Sequence, residues 1–186
     1  MVPKHSRLVE RFFTDLARSA ALGPILDLAC GRGRNGLYLA EHRLPVVFAD
    51  DDEGALAEVR AALSRLTRGE EQATAHCWSI DLEADNNDPL AGRRFGGIMA
   101  FRYLHRPLMP AIRQSLLPGG ILLYETFTVD QPAFGRPKNP DYLLRHGELQ
   151  AYFGDWNILH YFEGVRGKPE TGDQQAIAQI VAQKPA

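Results

Sequence analysis

Three carboxylates in this sequence lie in or just after short apolar runs: Asp27 within Ile25 to Cys30, Asp50 closing Pro45 to Asp50, and Asp81 after Ala73 to Ser79. A glycine loop, Gly31-Arg32-Gly33-Arg34-Asn35-Gly36, follows the first of them. Asp50, with Asp51 beside it, is placed to accept hydrogen bonds from the hydroxyls of a ribose. Asp81 can accept from an exocyclic adenine amine, while Leu82 offers an apolar contact to the ring. A single acid of this kind is more often a solvated loop residue. Acids at the ends of three successive strands mark the edge along which open α/β sheets bind ligands.

The loop satisfies G-x-G-x-x-G, and taken literally it is a dinucleotide fingerprint, so an NAD(P)-dependent oxidoreductase is one reading. The glycines alone require only a tight strand-to-helix turn. Asp27 separates the possibilities by charge. Beside a pyrophosphate its carboxylate repels; beside the cationic aminoacyl and sulfonium end of S-adenosylmethionine it attracts. This favours S-adenosylmethionine as cofactor, with Ala29, Gly31, Gly33 and Asn35 of the loop expected to contact it.

These residues need a scaffold. Apolar positions 8, 9, 12, 13 and 16 recur at helical spacing and predict an amphipathic first helix to about Ala20. After it, strands are expected at Ile25–Cys30, Pro45–Asp50, Ala73–Ser79 and Gly96–Phe101, and helices from the glycine loop through Ala40 and over Glu53–Leu66. A polar loop, Asp85-Asn86-Asn87-Asp88, precedes the fourth strand. A helix near Ile112–Leu116 ends at Pro118-Gly119-Gly120, a turn that delivers Ile121–Phe127 as the next strand. Such alternation predicts a mostly parallel sheet with helices on both faces. Gln131 to Asp141, with three prolines, is expected to be irregular. A short helix over Gly147–Phe153 and strands at Trp156–Val165 and Gln174–Ala182, joined through Gly167 to Gly172, suggest a terminal hairpin.

The composition bounds the alternatives. With 186 residues, 45% of them hydrophobic, one domain is expected: a helix over 1–21, a cofactor-binding core over 24–127, and an acceptor loop with hairpin over 128–186. A formal charge of -2 gives no general attraction to polyanions, so nucleic acid is an unfavoured partner. Two cysteines without metal-ligand spacing fit a reducing compartment, the cytoplasm, and no metal site. No run suggests a membrane span.

Asp27-Leu28-Ala29-Cys30-Gly31-Arg32-Gly33-Arg34-Asn35-Gly36-Leu37-Tyr38-Leu39-Ala40 resembles the first motif of class I methyltransferases, with Ala29 where a glycine is usual. Arg34-Asn35 and Leu37-Tyr38-Leu39 are similar to the tellurite-resistance methyltransferases. So are Gly147-Glu148-Leu149, Tyr152-Phe153, Trp156 and Tyr161 near the other end. The resemblance implies a Rossmann-like seven-stranded sheet with an antiparallel C-terminal hairpin, S-adenosylmethionine as methyl donor, and backbone at Phe101 or Arg102 against it. Tyr103-Leu104-His105-Arg106-Pro107 and the 131–141 loop depart from that group, and both fall where an acceptor would bind.

Methyl transfer from a sulfonium needs alignment and exclusion of water more than a catalytic triad. Three residues are catalytic candidates: His105 as a general base, Arg102, and Glu125, which alternates with Tyr124 on its strand. Tyr103, Arg106, Arg136 and Lys138 are candidate acceptor contacts, since guanidinium groups grip oxyanions in a fork. The expected acceptor is a small molecule or small anion. A non-catalytic S-adenosylmethionine-binding module is the other reading that keeps the cofactor.

Overall fold

The computed structural model describes residues 5–66, 74–84 and 88–186. Chain order is α1 (Arg7–Arg11), α2 (Phe13–Ser19), β1 (Ile25–Leu28), α3 (Arg34–Glu41), β2 (Val46–Asp50), α4 (Glu53–Leu66), β3 (His76–Ser79), β4 (Phe95–Phe101), α5 (Met109–Ser115), β5 (Leu116–Phe127), α6 (Glu148–Phe153), β6 (Asn157–Arg166) and β7 (Gln175–Gln183). The sheet runs β3-β2-β1-β4-β5-β7-β6. Strands β1 to β5 are parallel, and β7 enters antiparallel between β5 and β6. Strand order reverses at β1, which has β2 on one side and β4 on the other, so a crevice opens above its C-terminal end.

Strands β1 and β2 are apolar on both faces because helices cover both. Alternation sends Leu26, Leu28, Val47, Ile98, Leu122, Tyr124 and Ile180 into a core shared with α5 and α6. It sends Ile25, Phe48, Met99, Leu123 and Val181 into a second core under α1 to α4. Asp27 stands on that second face, between Ile25 and the glycine loop, and is only 2% exposed. No helix of the described residues is long and apolar enough to cross a membrane.

The structure differs from the sequence expectations in two places. The first helix is two pieces, because Phe12 leaves helical geometry at φ -105° and ψ 22°. The break lets Leu8 and Val9 of one piece and Leu16 of the other reach the same core. Strand β5 starts at Leu116, opposite Phe95, so Pro118-Gly119-Gly120 is an irregularity inside a pairing that shifts register between Phe95 and Gly97, and no separate turn. The Asp85-Asn86-Asn87 part of the predicted polar loop and the start of the third predicted strand lie outside the described residues.

The long crossover after β5 is pinned at both ends. Buried Gln131 accepts from the Ala176 N–H at 2.8 Å through Oε1 and donates to the Arg136 carbonyl at 3.1 Å. Val129 N–H donates to the Leu144 carbonyl at 2.9 Å. A glutamine buried this completely needs both amide groups satisfied, and β7 and the loop backbone supply one partner each.

Candidate functional site

The glycine loop is a chain of left-handed turns. Ala29, Gly31 and Gly33 have φ of 50°, 51° and 69°. Gly33 and Gly36 are also excluded from carrying side chains by space. A Cβ on Gly33 would lie 2.8 Å from Val59 Cγ2, and one on Gly36 would lie 2.4 Å from Phe48 Cε1 and 2.7 Å from Asp27 Oδ2. The close approach lets Asp27 Oδ2 accept the Gly36 N–H at 2.8 Å. Asp27 is thereby tied to the first turn of α3, where the helix dipole favours negative charge. Burial nonetheless dominates and lifts its pKa to about 7; the Gly36 N–H and Arg34 lower it, and Asp50 raises it.

Asp50 Oδ2 accepts the Gly31 N–H at 2.7 Å, and Oδ1 accepts from Asp52 N–H at 3.0 Å. The carboxylate is thus fixed at the strand end between the loop and α4. Asp81 Oδ1 accepts from the Glu83 N–H at 2.8 Å, which turns the chain after β3. Asp50, Asp51, Asp81 and Leu82, with Ala29, line one cleft of about 310 Å³, walled also by Ile80, Glu83 and Tyr103. The structure therefore brings Asp50 and Asp81 of the three strand acids into one cleft and leaves Asp27 buried outside its lining.

Tyr103 stands in that wall, beside the acids. Its hydroxyl is buried with no hydrogen-bond partner, although Glu83 is near. Burial first, then Glu83, Asp81 and Asp51, push its pKa upward, so the phenol keeps its proton. A buried donor without a partner is uncommon, and this one belongs to a residue of the cleft wall. Glu83 and Ile80, also in the wall, follow β3 without a motif to mark them.

The other expected residues separate. Asn35, buried, accepts the Ser6 N–H at 2.8 Å through Oδ1, so this amide oxygen holds the segment before α1 onto the glycine loop. Phe101 packs its ring into the core under α1 to α4. His105 faces Glu83, with Nδ1 3.8 Å from Oε2, and lines an adjoining cavity with Pro107 and Leu108. Arg106 is a clasp. Its Nε and Nη2 grip Glu148 at 2.7 and 2.9 Å, and its Nη1 and Nη2 reach the Asp141 and Leu143 carbonyls at 3.0 and 2.8 Å. This spends its donors on joining the crossover to α6. Arg136 and Lys138 are exposed on the crossover, and nothing among the described residues pairs with them or carries them to the strand ends.

Arg102 and Glu125 remain at the sheet edge, and a residue without an assigned role joins them. Arg102, at φ 59° just past β4, donates its backbone N–H to the Glu125 carbonyl at 2.8 Å. Arg34, the first residue of α3, is half-buried and makes no ion pair among the described residues. Burial and the neighbouring Arg102 guanidinium lower its pKa, while Glu125 and Asp27 oppose that. Two guanidiniums, Glu125 and Asp27 thus share one electrostatic neighbourhood on the α1-to-α4 side of β1, β4 and β5. Arg34 was visible in the motif, but its neighbours come from strands far apart in sequence.

A sheet of this order, with a glycine loop after β1 and a carboxylate at each of three strand ends, defines the class I methyltransferase fold. The model of the family described as tellurite resistance protein TehB matches residues 3–179, and the chain belongs to that family. It is 26% identical over 161 residues to a Haemophilus influenzae protein named as a probable S-adenosyl-L-methionine-dependent methyltransferase TehB, an alignment covering 81% of this chain and 52% of the relative. The chain thus spans about half the length of that relative. The crystal structure of Haemophilus influenzae TehB superimposes with a TM-score of 0.69 at 23% identity, over 92% of this chain and 62% of that one. A SAM-dependent methyltransferase from Methanosarcina mazei gives 0.63 at 17% identity, over 87% and 92% of the two chains.

Proposed function

We propose that this protein is an S-adenosylmethionine-dependent methyltransferase whose acceptor is a small molecule carrying negative charge. The observation that carries the reading is the single cleft lined by Asp50, Asp51 and Asp81, with Asp27 buried a strand away. Acids alone suit a nucleoside with a cationic tail and are a poor lining for a dinucleotide's pyrophosphate. The Tyr103 hydroxyl is an unsatisfied donor in the same wall.

In this reading Asp50 and Asp51 hold the ribose, Asp81 and Leu82 face the adenine, and Ala29, Gly31 and Gly33 let the backbone approach the aminoacyl part. Asp27 answers the positive end by charge. The bound cofactor supplies a methyl group on a cationic sulfur, already activated for displacement. The protein's own contribution is to align an acceptor and exclude water. Half-buried Arg34 beside exposed Arg102 supports an anionic acceptor, because two like charges brought near each other favour a counter-anion.

Calorimetric titration with S-adenosylhomocysteine, with NAD as comparator, tests the cofactor. We expect micromolar binding of the former and none of the latter; the reverse order of affinities would return the dinucleotide reading. Transfer of labelled methyl from S-adenosylmethionine to small molecules then separates a catalyst from a binding module.

A further inference from the structure

On the α1-to-α4 face of the sheet, one row crosses four strands in register: Phe101 on β4, Glu125 on β5, Gln179 on β7 and Phe162 on β6. Gln179 is 2% exposed, an uncommon place for an amide between apolar neighbours. Its Nε2 donates to Glu125 Oε2, and its Oε1 lies 3.1 Å from His160 Nε2. The amide therefore points its donor at the carboxylate and its acceptor at the imidazole, which carries its proton on Nε2 in this arrangement.

His160 lies two residues before Phe162 on β6 and shares its face, opposite Val181. The pairing steps from Ile158 opposite Ala182 directly to His160 opposite Val181, so Leu159 is the extra residue. The extra residue lets Ile158 face the opposite core with Tyr161, while His160 stays on the face of Phe162. A buried amide that links an imidazole to a carboxylate is a costly arrangement for packing alone.

We propose that Gln179 and His160 are positioning residues that hold the Glu125 carboxylate toward the Arg34 and Arg102 edge, so that Glu125 accepts the proton of the acceptor's nucleophilic atom. The inference rests on the methyltransferase reading and narrows its acceptor to an anion that also bears an N–H or O–H. The guanidiniums hold the charged group. Glu125 takes the proton, the electron pair it leaves stays on the nitrogen or oxygen, and the carboxylate becomes a carboxylic acid. Amide donation from Gln179 keeps one carboxylate oxygen engaged, which leaves the other directed at the acceptor.

The test uses the full chain with methyl-labelled S-adenosylmethionine and the ultrafiltered small-molecule fraction of a bacterial extract. The labelled product should bind an anion exchanger and carry its methyl on nitrogen or oxygen. With that product's precursor as substrate, Glu125→Ala should lower kcat by about 100-fold and the isosteric Gln179→Met by about 10-fold. Both should leave S-adenosylhomocysteine affinity within about 2-fold of wild type. In the Glu125→Ala background, Gln179→Met should cost less than about 2-fold, because it acts only through the missing carboxylate. His160→Gln, which can still donate to the amide, should stay near wild type where His160→Leu falls. Multiplying effects of the Glu125 and Gln179 variants overturn the proposal. So does a product that is uncharged, cationic, macromolecular, or methylated on sulfur or a metalloid; the methyltransferase reading survives each of these. If S-adenosylhomocysteine binds but no fraction takes label, catalysis itself is refuted and this inference with it.

Discussion

The Gly36 N–H donates to Asp27 Oδ2 at 2.8 Å, which ties the buried acid of β1 to the first turn of α3. The contact requires that residue 36 have no side chain, and it leaves the charge of Asp27 under-compensated in the unliganded fold.

Asp27→Asn should therefore separate stability from binding. Burial places the folded pKa at about 7, above the ordinary aspartate value of 3.8. Between those values the folded state holds a proton that the unfolded chain has lost, so this group's contribution to stability declines as pH rises and levels off above about 7. The Asn variant should lose that slope and melt a few degrees higher than wild type at pH 8, measured by thermal denaturation. S-adenosylhomocysteine binding to wild type should strengthen as pH rises through about 7 and Asp27 ionises. The variant should bind about 10-fold or more weakly and without that pH dependence. Equal pH slopes in both proteins would remove the assignment.

Gly36→Ala sets two magnitudes against each other. Alanine gains roughly 1 kcal/mol of helix propensity over glycine. The added Cβ would sit 2.4 Å from Phe48 Cε1 and 2.7 Å from Asp27 Oδ2, both in a packed core. Overpacking of this kind costs roughly 1–3 kcal/mol. The net should be a lower melting temperature and loss of S-adenosylhomocysteine binding, and a variant more stable than wild type would contradict the geometry.

Ala29 occupies the left-handed region at φ 50°, a position that glycine tolerates better. Relief of roughly 1–2 kcal/mol in the folded state is offset by roughly 0.4–1 kcal/mol of extra entropy in the unfolded chain. Ala29→Gly should leave the melting temperature unchanged or raise it slightly, with cofactor affinity retained. Ala29→Val adds a branched side chain at a backbone angle it avoids, beside the cleft, and should abolish binding in the same calorimetric assay.

Arg106 and Arg136 should behave oppositely despite similar appearance in the sequence. Arg106→Ala leaves Glu148 and two carbonyls without their partner and should destabilise by roughly 1–3 kcal/mol in urea denaturation. Arg136→Ala, at an exposed site, should change stability by less than about 0.5 kcal/mol. Destabilisation by the second variant alone would show that the crossover is held differently.

The sequence by itself determined the sheet and one half of the site. Apolar runs closed by Asp50 and followed by Asp81, and a glycine loop after Asp27, are local patterns, and parallel strands connected by helices necessarily bring their C-terminal ends to one edge. Asp50 and Asp81 therefore meet in one cleft whatever the details of packing, with Asp27 buried beside it. The break at Phe12 and the early start of β5 were not legible, because each is set by a partner surface: the core beneath α1 in one case, Phe95 in the other. The acceptor side depended on tertiary structure throughout. Arg106 reads as a substrate contact until Glu148 and two carbonyls from the crossover and α6 close around it. Tyr103 reads as an acceptor contact until the edge turns it toward the acids. Gln179 and His160 carry no motif at all, since their roles come from the register of β5, β7 and β6. Local patterning encodes where strands end; which side chains meet across non-adjacent strands is decided only when register, bulges and insertion of β7 between β5 and β6 are fixed together.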